Sequence, residues 1–186
     1  VDIGQGSNTI ITQICADAVG LNVNDFELID GDTDITADAG KTSASRQTFV
    51  SGKAAYLAGQ ELRDKILCLV NASDEATLVL AGTNLTVHDQ GTEHDVNLSE
   101  LEREADDFVL SGEGTFDPPT TALDENGQGD PYAVYGCGAH IMELEVDTKL
   151  GTVNLIRLTA AHDVGKAINL TLVEGQVEGG VAQGIG

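Results

Sequence analysis

One periodic stretch constrains the fold more than any other. From Ser45 onward, apolar residues recur at helical spacing for roughly 25 residues, through Phe49, Ala54, Ala55, Leu57, Ala58, Leu62, Ile66, Leu67 and Val70. Gly52, Ala54, Ala55, Ala58 and Gly59 make part of that helix thin, and small residues there permit close packing against a neighbouring sheet. Asn71-Ala72-Ser73-Asp74 ends it. The remaining chain shows short strands and hairpins more clearly than strand–helix alternation. The expected class is therefore α+β: two-layer lobes of mostly antiparallel sheet with helices packed on one face.

The approach to this helix, Gly40-Lys41-Thr42-Ser43-Ala44-Ser45-Arg46-Gln47-Thr48, has the composition of an anion cradle. Small residues let backbone come close to a ligand, and Ser43 or Ser45 is a candidate cap. The helix start offers unpaired N–H groups and a positive dipole end, and Arg46 adds a planar set of donors suited to phosphate. The plain alternative is an ordinary capped helix with one surface arginine. Nearer the start, Ile3 reads as the end of a strand that leads into Gly4-Gln5-Gly6. Ser7-Asn8-Thr9 then begins a helix with Ile10, Ile11, Ile14, Cys15, Ala18 and Val19 on one face and Gly20 as its C-cap. Gln5 is the one long polar side chain in that turn. Such a turn serves either a ligand or a tight strand-to-helix corner.

Residues 26–29 are expected as a short strand opening into the acidic loop Asp30-Gly31-Asp32-Thr33-Asp34. That loop loosely resembles a calcium loop, but no glutamate stands at the closing position and two helices do not flank it, so a solvated loop is the better reading. Residues 77–81 and 85–88 suit a hairpin around Gly82-Thr83-Asn84, with His88 and His94 as polar turn residues. Residues 98–104 suit a brief acidic helix, and a soft boundary follows, dividing the chain into lobes 1–107 and 108–186. The second lobe opens with an expected strand at 108–110, then Gly112-Glu113-Gly114 and an irregular, turn-rich surface segment through Asp130-Pro131. Residues 134–147 and 152–159 form an expected hairpin about Thr148-Lys149-Leu150-Gly151, and Glu174-Gly175-Gln176 opens a last helix. His162 and Asp163 adjoin in a strand, so their side chains point to opposite sides and do not make an acid/base pair.

The formal net charge is −22, from 31 acidic and 9 basic residues. Nucleic acid and anionic membrane are excluded as partners because neither finds a basic patch. An anionic ligand would need local devices such as helix ends, backbone amides and single arginines. Cys15, Cys68 and Cys137 lack metal or redox spacing, and core packing in a reducing compartment is expected. No run is long and apolar enough to span a membrane, which fits a cytoplasmic location. The abrupt ends at Val1-Asp2-Ile3 and Gly184-Ile185-Gly186 suggest an internal fragment.

Gly4-Gln5-Gly6, residues 42–47, and Ala161-His162-Asp163-Val164-Gly165-Lys166-Ala167-Ile168-Asn169 through Glu174-Gly175-Gln176-Val177-Glu178-Gly179-Gly180 occur in one order. With Gly112-Glu113-Gly114, Leu123-Asp124 and the strand Glu143-Leu144-Glu145-Val146-Asp147, this set resembles the molybdenum-cofactor-binding subunit of the xanthine dehydrogenase and aldehyde oxidase family over most of the chain. The resemblance implies molybdenum held by molybdopterin, often the cytosine dinucleotide form in bacterial members. Gln5 matches a glutamine near a molybdenum oxygen ligand, flanked by Gly4 and Gly6. Ser43, Ala44, Ser45, Arg46 and Gln47 match the segment that binds the pterin and its phosphates, and Asn169 and Gln176 match polar positions around the far part of the cofactor. In place of the usual Asn-Pro this chain has Asn169-Leu170, so the backbone there is less constrained.

The implied chemistry is hydroxylation of an aldehyde or N-heterocycle with oxygen from water. The proton-accepting glutamate is expected beyond Gly186, so no catalytic residue and no direct metal ligand is expected within the chain. Implied partners are the remaining molybdenum-binding domain, iron–sulfur and FAD units, and a small-molecule substrate. Two other readings compete: a non-catalytic scaffold of the same fold without molybdenum, and an unrelated nucleotide-binding module using Arg46 and the glycine turns.

Overall fold

A computed structural model describes residues 1–104 and 107–186. In it, helix α2 spans Gln47–Val70, 24 residues, and ends at Asn71, which takes a left-handed conformation with φ 52°. Helix α1, Ser7–Val19, lies against it and ends as expected at Gly20, φ 85°, whose N–H reaches the Ala16 carbonyl at 2.9 Å. The thin stretch of α2 serves this helix pair rather than a sheet. A Cβ on Gly59 would stand 2.7 Å from the Ala18 Cβ and 2.9 Å from the Cys15 carbonyl, and one on Gly52 would stand 2.7 Å from Ile14 Cδ1. Ala54 and Ala58 instead receive Gly112 and Gly114, which lie so close to the helix backbone that neither leaves room for a side chain. The expectation of small residues against a sheet is corrected: they admit a second helix and an irregular strand of chain.

The sheet packs further along α2. Strands β1 (Thr77–Ala81), β2 (Asn84–Asp89) and β3 (Thr92–Asn97) form an antiparallel meander in the order β1-β2-β3. Leu78 opposes Val87 and Leu80 opposes Leu85, so these four share one face by strand alternation. Leu78, Leu85 and Val87 from that face bury with Val19 of α1, Ile66 and Leu67 of α2, and Ala76. This is the core, with helices on one side of an antiparallel sheet, the α+β arrangement expected. Arg63 stitches its rim, donating to the carbonyls of Val19 (2.9 Å), Asp74 (3.0 Å) and Ala76 (2.5 Å).

Several local expectations change. β3 was not foreseen, so His88 and His94 are strand residues, not turn residues; His88 pairs with Glu93 and its Nδ1 is 3.2 Å from that carboxylate. Residues 26–29 and 108–110 form no strand. Phe26 and Leu110 are apolar because they pack on the core. The acidic helix at 98–104 shrinks to a single 3₁₀ turn, Leu98–Glu100, capped by the Asn97 side chain.

The chain divides into two compact units, Val1–Asp117 and Pro118–Gly186. The second holds a two-stranded antiparallel sheet, β4 (Cys137–Asp147) and β5 (Thr152–Asp163), with a register shift at Glu143/Leu144. The hairpin is the expected one, but its strands are displaced: β4 begins at Cys137 and β5 runs on to Asp163. Helix α3 spans Leu170–Ile185 and starts before Gln176, which falls inside it rather than at its opening. Cys15 is half-buried against this core pattern, whereas Cys68 and Cys137 are exposed, so core packing holds for one cysteine of three. Among the described residues no helix is long and apolar enough to cross a membrane.

Candidate functional site

Two helix starts lie in the first unit, and they differ in electrical state. At α1 the turn Gly4-Gln5-Gly6 has left-handed glycines at both ends, φ 104° and 83°. The amides of both glycines are already taken. The Asp2 carboxylate accepts from the N–H groups of Gly4 (2.7 Å), Gly6 (3.3 Å) and Asn8 (3.1 Å). These bonds, led by that from Asn8, hold the Asp2 carboxyl below its ordinary value. A carboxylate built into the chain thus fills the anion position at the α1 terminus. No strand precedes the turn; residues 1–3 are irregular.

Gln5 is locked by the same turn. Its Oε1 accepts the Ile3 N–H at 2.7 Å and its Nε2 donates to Ser7 Oγ at 3.0 Å. Ser7 is buried, so this end of the amide is anchored on the helix body. An amide nitrogen carries two hydrogens, and one remains to be donated.

The start of α2 has no such internal anion. Arg46 occupies the N-cap position, and no side chain caps the helix; the expected capping by Ser43 or Ser45 is not made. Ala44 and Ser45 instead take left-handed backbone, φ 63° and 51°. Residues with a Cβ seldom adopt that conformation, and it costs on the order of 1–3 kcal/mol each where the surroundings enforce it. The turn exposes Ser43, Ala44 and Ser45 and delivers Arg46 and Gln47, both half-buried, to the first helical turn. Among the described residues the Arg46 guanidinium has no hydrogen-bond or ion-pair partner. The first amides of α2 therefore stand with a positive dipole end, an unpaired guanidinium and two exposed serines.

Thr42 joins this segment to the other. Its hydroxyl donates to the Val1 carbonyl at 2.8 Å. The Gly4–Gly6 turn and the 42–47 loop are thereby held side by side in one unit. A Cβ on Gly4 or Gly40 would meet nothing within 4 Å, so the backbone on both flanks is open. This donor set fits a phosphate-bearing group: local positive partial charge, one bidentate-capable arginine and close backbone approach. It contains no carboxylate or thiolate cluster for a metal, and among the described residues no three such groups converge.

Asn169 and Gln176 belong to the second unit. Asn169 is the N-cap of α3, its side-chain oxygen accepting from Leu172 N–H at 3.2 Å, which fixes it without the proline that would otherwise constrain the next residue. Gln176 lies exposed on α3. Thr42 stands in the sequence motif only as part of the 42–47 segment, and Asp2 carries no site reading from sequence, although an aspartate two residues before a glycine is the signature of a side chain closing its own turn.

The molybdopterin cofactor-binding domain model matches residues 1–186. The xanthine dehydrogenase molybdenum-binding subunit of Escherichia coli O157:H7 is 31% identical over 196 residues, covering 100% of this chain and 24% of the relative. Subunit gamma of the 6-hydroxypseudooxynicotine dehydrogenase complex of Paenarthrobacter nicotinovorans is 27% identical over 191 residues, covering 99% and 23%. The carbon monoxide dehydrogenase large chain of Afipia carboxidovorans is 27% identical over 188 residues, covering 97% and 22%. The chain thus spans about a quarter of the length of these relatives.

Proposed function

Because the chain belongs to the molybdopterin cofactor-binding domain family, we propose that it forms part of the cofactor pocket of a molybdenum hydroxylase acting on an aldehyde or N-heterocycle. The observation that carries this reading is the uncapped α2 start with its unpartnered Arg46, tied by Thr42 to the segment that leads into the Gly4–Gly6 turn. Arg46, the exposed Ser43 and Ser45, and the amides at Ala44 and Gln47 bind the phosphates and pterin edge. Gln5 offers its remaining amide hydrogen to the molybdenum end of the cofactor. Asn169 and Gln176 serve the far part.

When bound, the cofactor supplies the two-electron redox and Lewis-acid chemistry that transfers an oxygen of water to carbon. This chain's own residues bind and orient it. None of the glutamates here is assigned the role of proton acceptor. The cofactor is read as the cytosine dinucleotide form that the resemblance to bacterial members implies, and a guanidinium beside a helix start suits the pyrophosphate of such a form. Iron–sulfur and FAD units on other chains or domains, the remaining molybdenum-binding domain, and a cytoplasmic setting complete the reading.

The test is molybdenum and cytidine nucleotide content of the intact protein, native against Gln5→Ala and Arg46→Ala. Stoichiometric molybdenum that falls in both variants supports the function and these sites together. Molybdenum and nucleotide absent from the folded native protein would leave only a scaffold of this fold. Nucleotide bound without pterin would favour a nucleotide module.

A further inference from the structure

We propose that His140 and His162 form a surface site for one divalent ion of the imidazole-binding class, nickel, zinc or copper(II). In the β4–β5 register Gly138 faces His162 and His140 faces Ala160, so the two histidines are diagonal neighbours on one face of the hairpin. Their Nε2 atoms are 2.6 Å apart and their ring centroids 4.9 Å, with the planes at 66°. Both residues are exposed. Gly138 makes the approach possible: a Cβ there would stand 3.0 Å from His162 Nδ1 and 3.1 Å from its Cε1. The His162 ring lies over the space that a side chain at 138 would fill, and so reaches His140.

The two Nε2 atoms face each other across the exposed side of the hairpin. With both rings neutral, one Nε2–H donates to the lone pair of the other. Two nitrogen ligands at about 2.0–2.1 Å from one tetrahedral ion stand about 3.3 Å apart. The rings need to part by less than an ångström and to tilt so that both Nε2 atoms turn toward the ion, and rotations about the side-chain bonds of two exposed histidines supply both movements. The donating ring passes its proton from Nε2 to Nδ1 through water. Both Nε2 lone pairs are then free for the ion, and the neutral pair neither gains nor loses a proton overall.

Cys137 and Asp163 oppose each other in register and, by strand alternation, occupy the other face. Among the described residues no third histidine, cysteine or carboxylate joins the pair. Water would complete the coordination, giving an open site, and all-nitrogen protein ligation selects late first-row ions over magnesium or calcium. The pair lies in the second unit and owes nothing to the cofactor reading, so either can fail without the other.

The experiment is calorimetric titration of the full chain, free of any affinity tag, with nickel or zinc ions near neutral pH. Excess magnesium is present to occupy the acidic surface. His140→Gln, His162→Gln and Gly138→Ala are titrated alongside, with circular dichroism to establish folding. One equivalent bound by the native chain, weakened at least about tenfold by each histidine change, is expected, since losing even an outer-shell partner of a metal costs about 10–100-fold. Gly138→Ala retains both imidazoles but crowds His162, and it too is expected to weaken binding, which keeps the test valid if a histidine variant fails to fold. Affinity unchanged in the variants, or no binding that survives magnesium, overturns the proposal.

Discussion

The carboxylate of Asp2 accepts the backbone N–H of Asn8 at 3.1 Å, so a side chain from before the glycine turn closes over the first turn of α1. The same group holds Gly4 and Gly6, and its carboxyl is thereby kept below its ordinary value near 3.8. A depressed carboxyl contributes stability that is present above the unfolded value and lost as pH falls through the folded one. Native protein is therefore expected to lose melting temperature on acidification from about pH 4 downward, by more than Asp2→Asn does. Thermal melts of both proteins across that range check it. Glu61, Asp89, Asp124 and Asp147 are lowered by hydrogen bonds too, so the diagnostic quantity is the difference between the curves.

Arg46→Gln keeps a polar side chain at the α2 start but removes the charge and the fork of donors. A hydrogen bond to a charged group is worth about 1.5–3 kcal/mol, so cofactor retention is expected to fall by about 10–100-fold while the melting temperature moves little. Molybdenum analysis after dialysis of the intact protein reads the first, and calorimetry the second.

Gly114 lies against the backbone of α2, where a Cβ would collide with the Ala54 carbonyl and come within 2.5 Å of the Ala58 nitrogen. Backbone yields less readily than a side-chain tip. Gly114→Ala is expected to cost about 1–3 kcal/mol, the usual toll of overpacking, as a lowered urea midpoint.

Arg63 satisfies three carbonyls from the end of α1 and the approach to β1. Arg63→Met preserves most of the aliphatic stem and strips the donors. A loss of about 1.5–3 kcal/mol is expected, because bonds from one guanidinium do not add fully. Denaturant unfolding of both proteins measures it.

Burial pushes the Cys15 thiol up, while Cys68 and Cys137 are exposed. The thiolate is the reactive form, so iodoacetamide is expected to modify Cys68 and Cys137 first and Cys15 last. Peptide mass mapping over a time course shows the order, and early labelling of Cys15 would contradict the packing of α1 on α2.

The parts legible in the sequence are those with a strong period. α2, α1 with its Gly20 stop, and the β4–β5 hairpin each carry enough apolar recurrence to be seen directly. β3 escaped because Thr92-Glu93-His94-Asp95 is polar on both faces; its place comes from pairing, with Asp95 accepting from the Thr86 hydroxyl at 2.7 Å. Conversely, Phe26 and Leu110 looked like strand residues because burial alone selects apolar side chains. At the candidate site the residue types of an anion cradle were visible, but their condition was not. That Asp2 already fills one helix start, while Ala44 and Ser45 twist into left-handed backbone beside the other, follows from three-dimensional closure that no local pattern encodes. His140 was passed over because its partner lies 22 residues away in the chain.

The three-stranded meander has two unlike borders. Along β3 the outer side carries Glu93 and Asp95, whereas β1 is Thr77-Leu78-Val79-Leu80-Ala81, without a charge and with Val79 exposed. Unpaired strand borders are templates for a second chain, and charge is a common means of blunting them. Intermolecular strand addition in concentrated solution thus has one inviting side and one that repels, and a lysine placed at Val79 would close the inviting one.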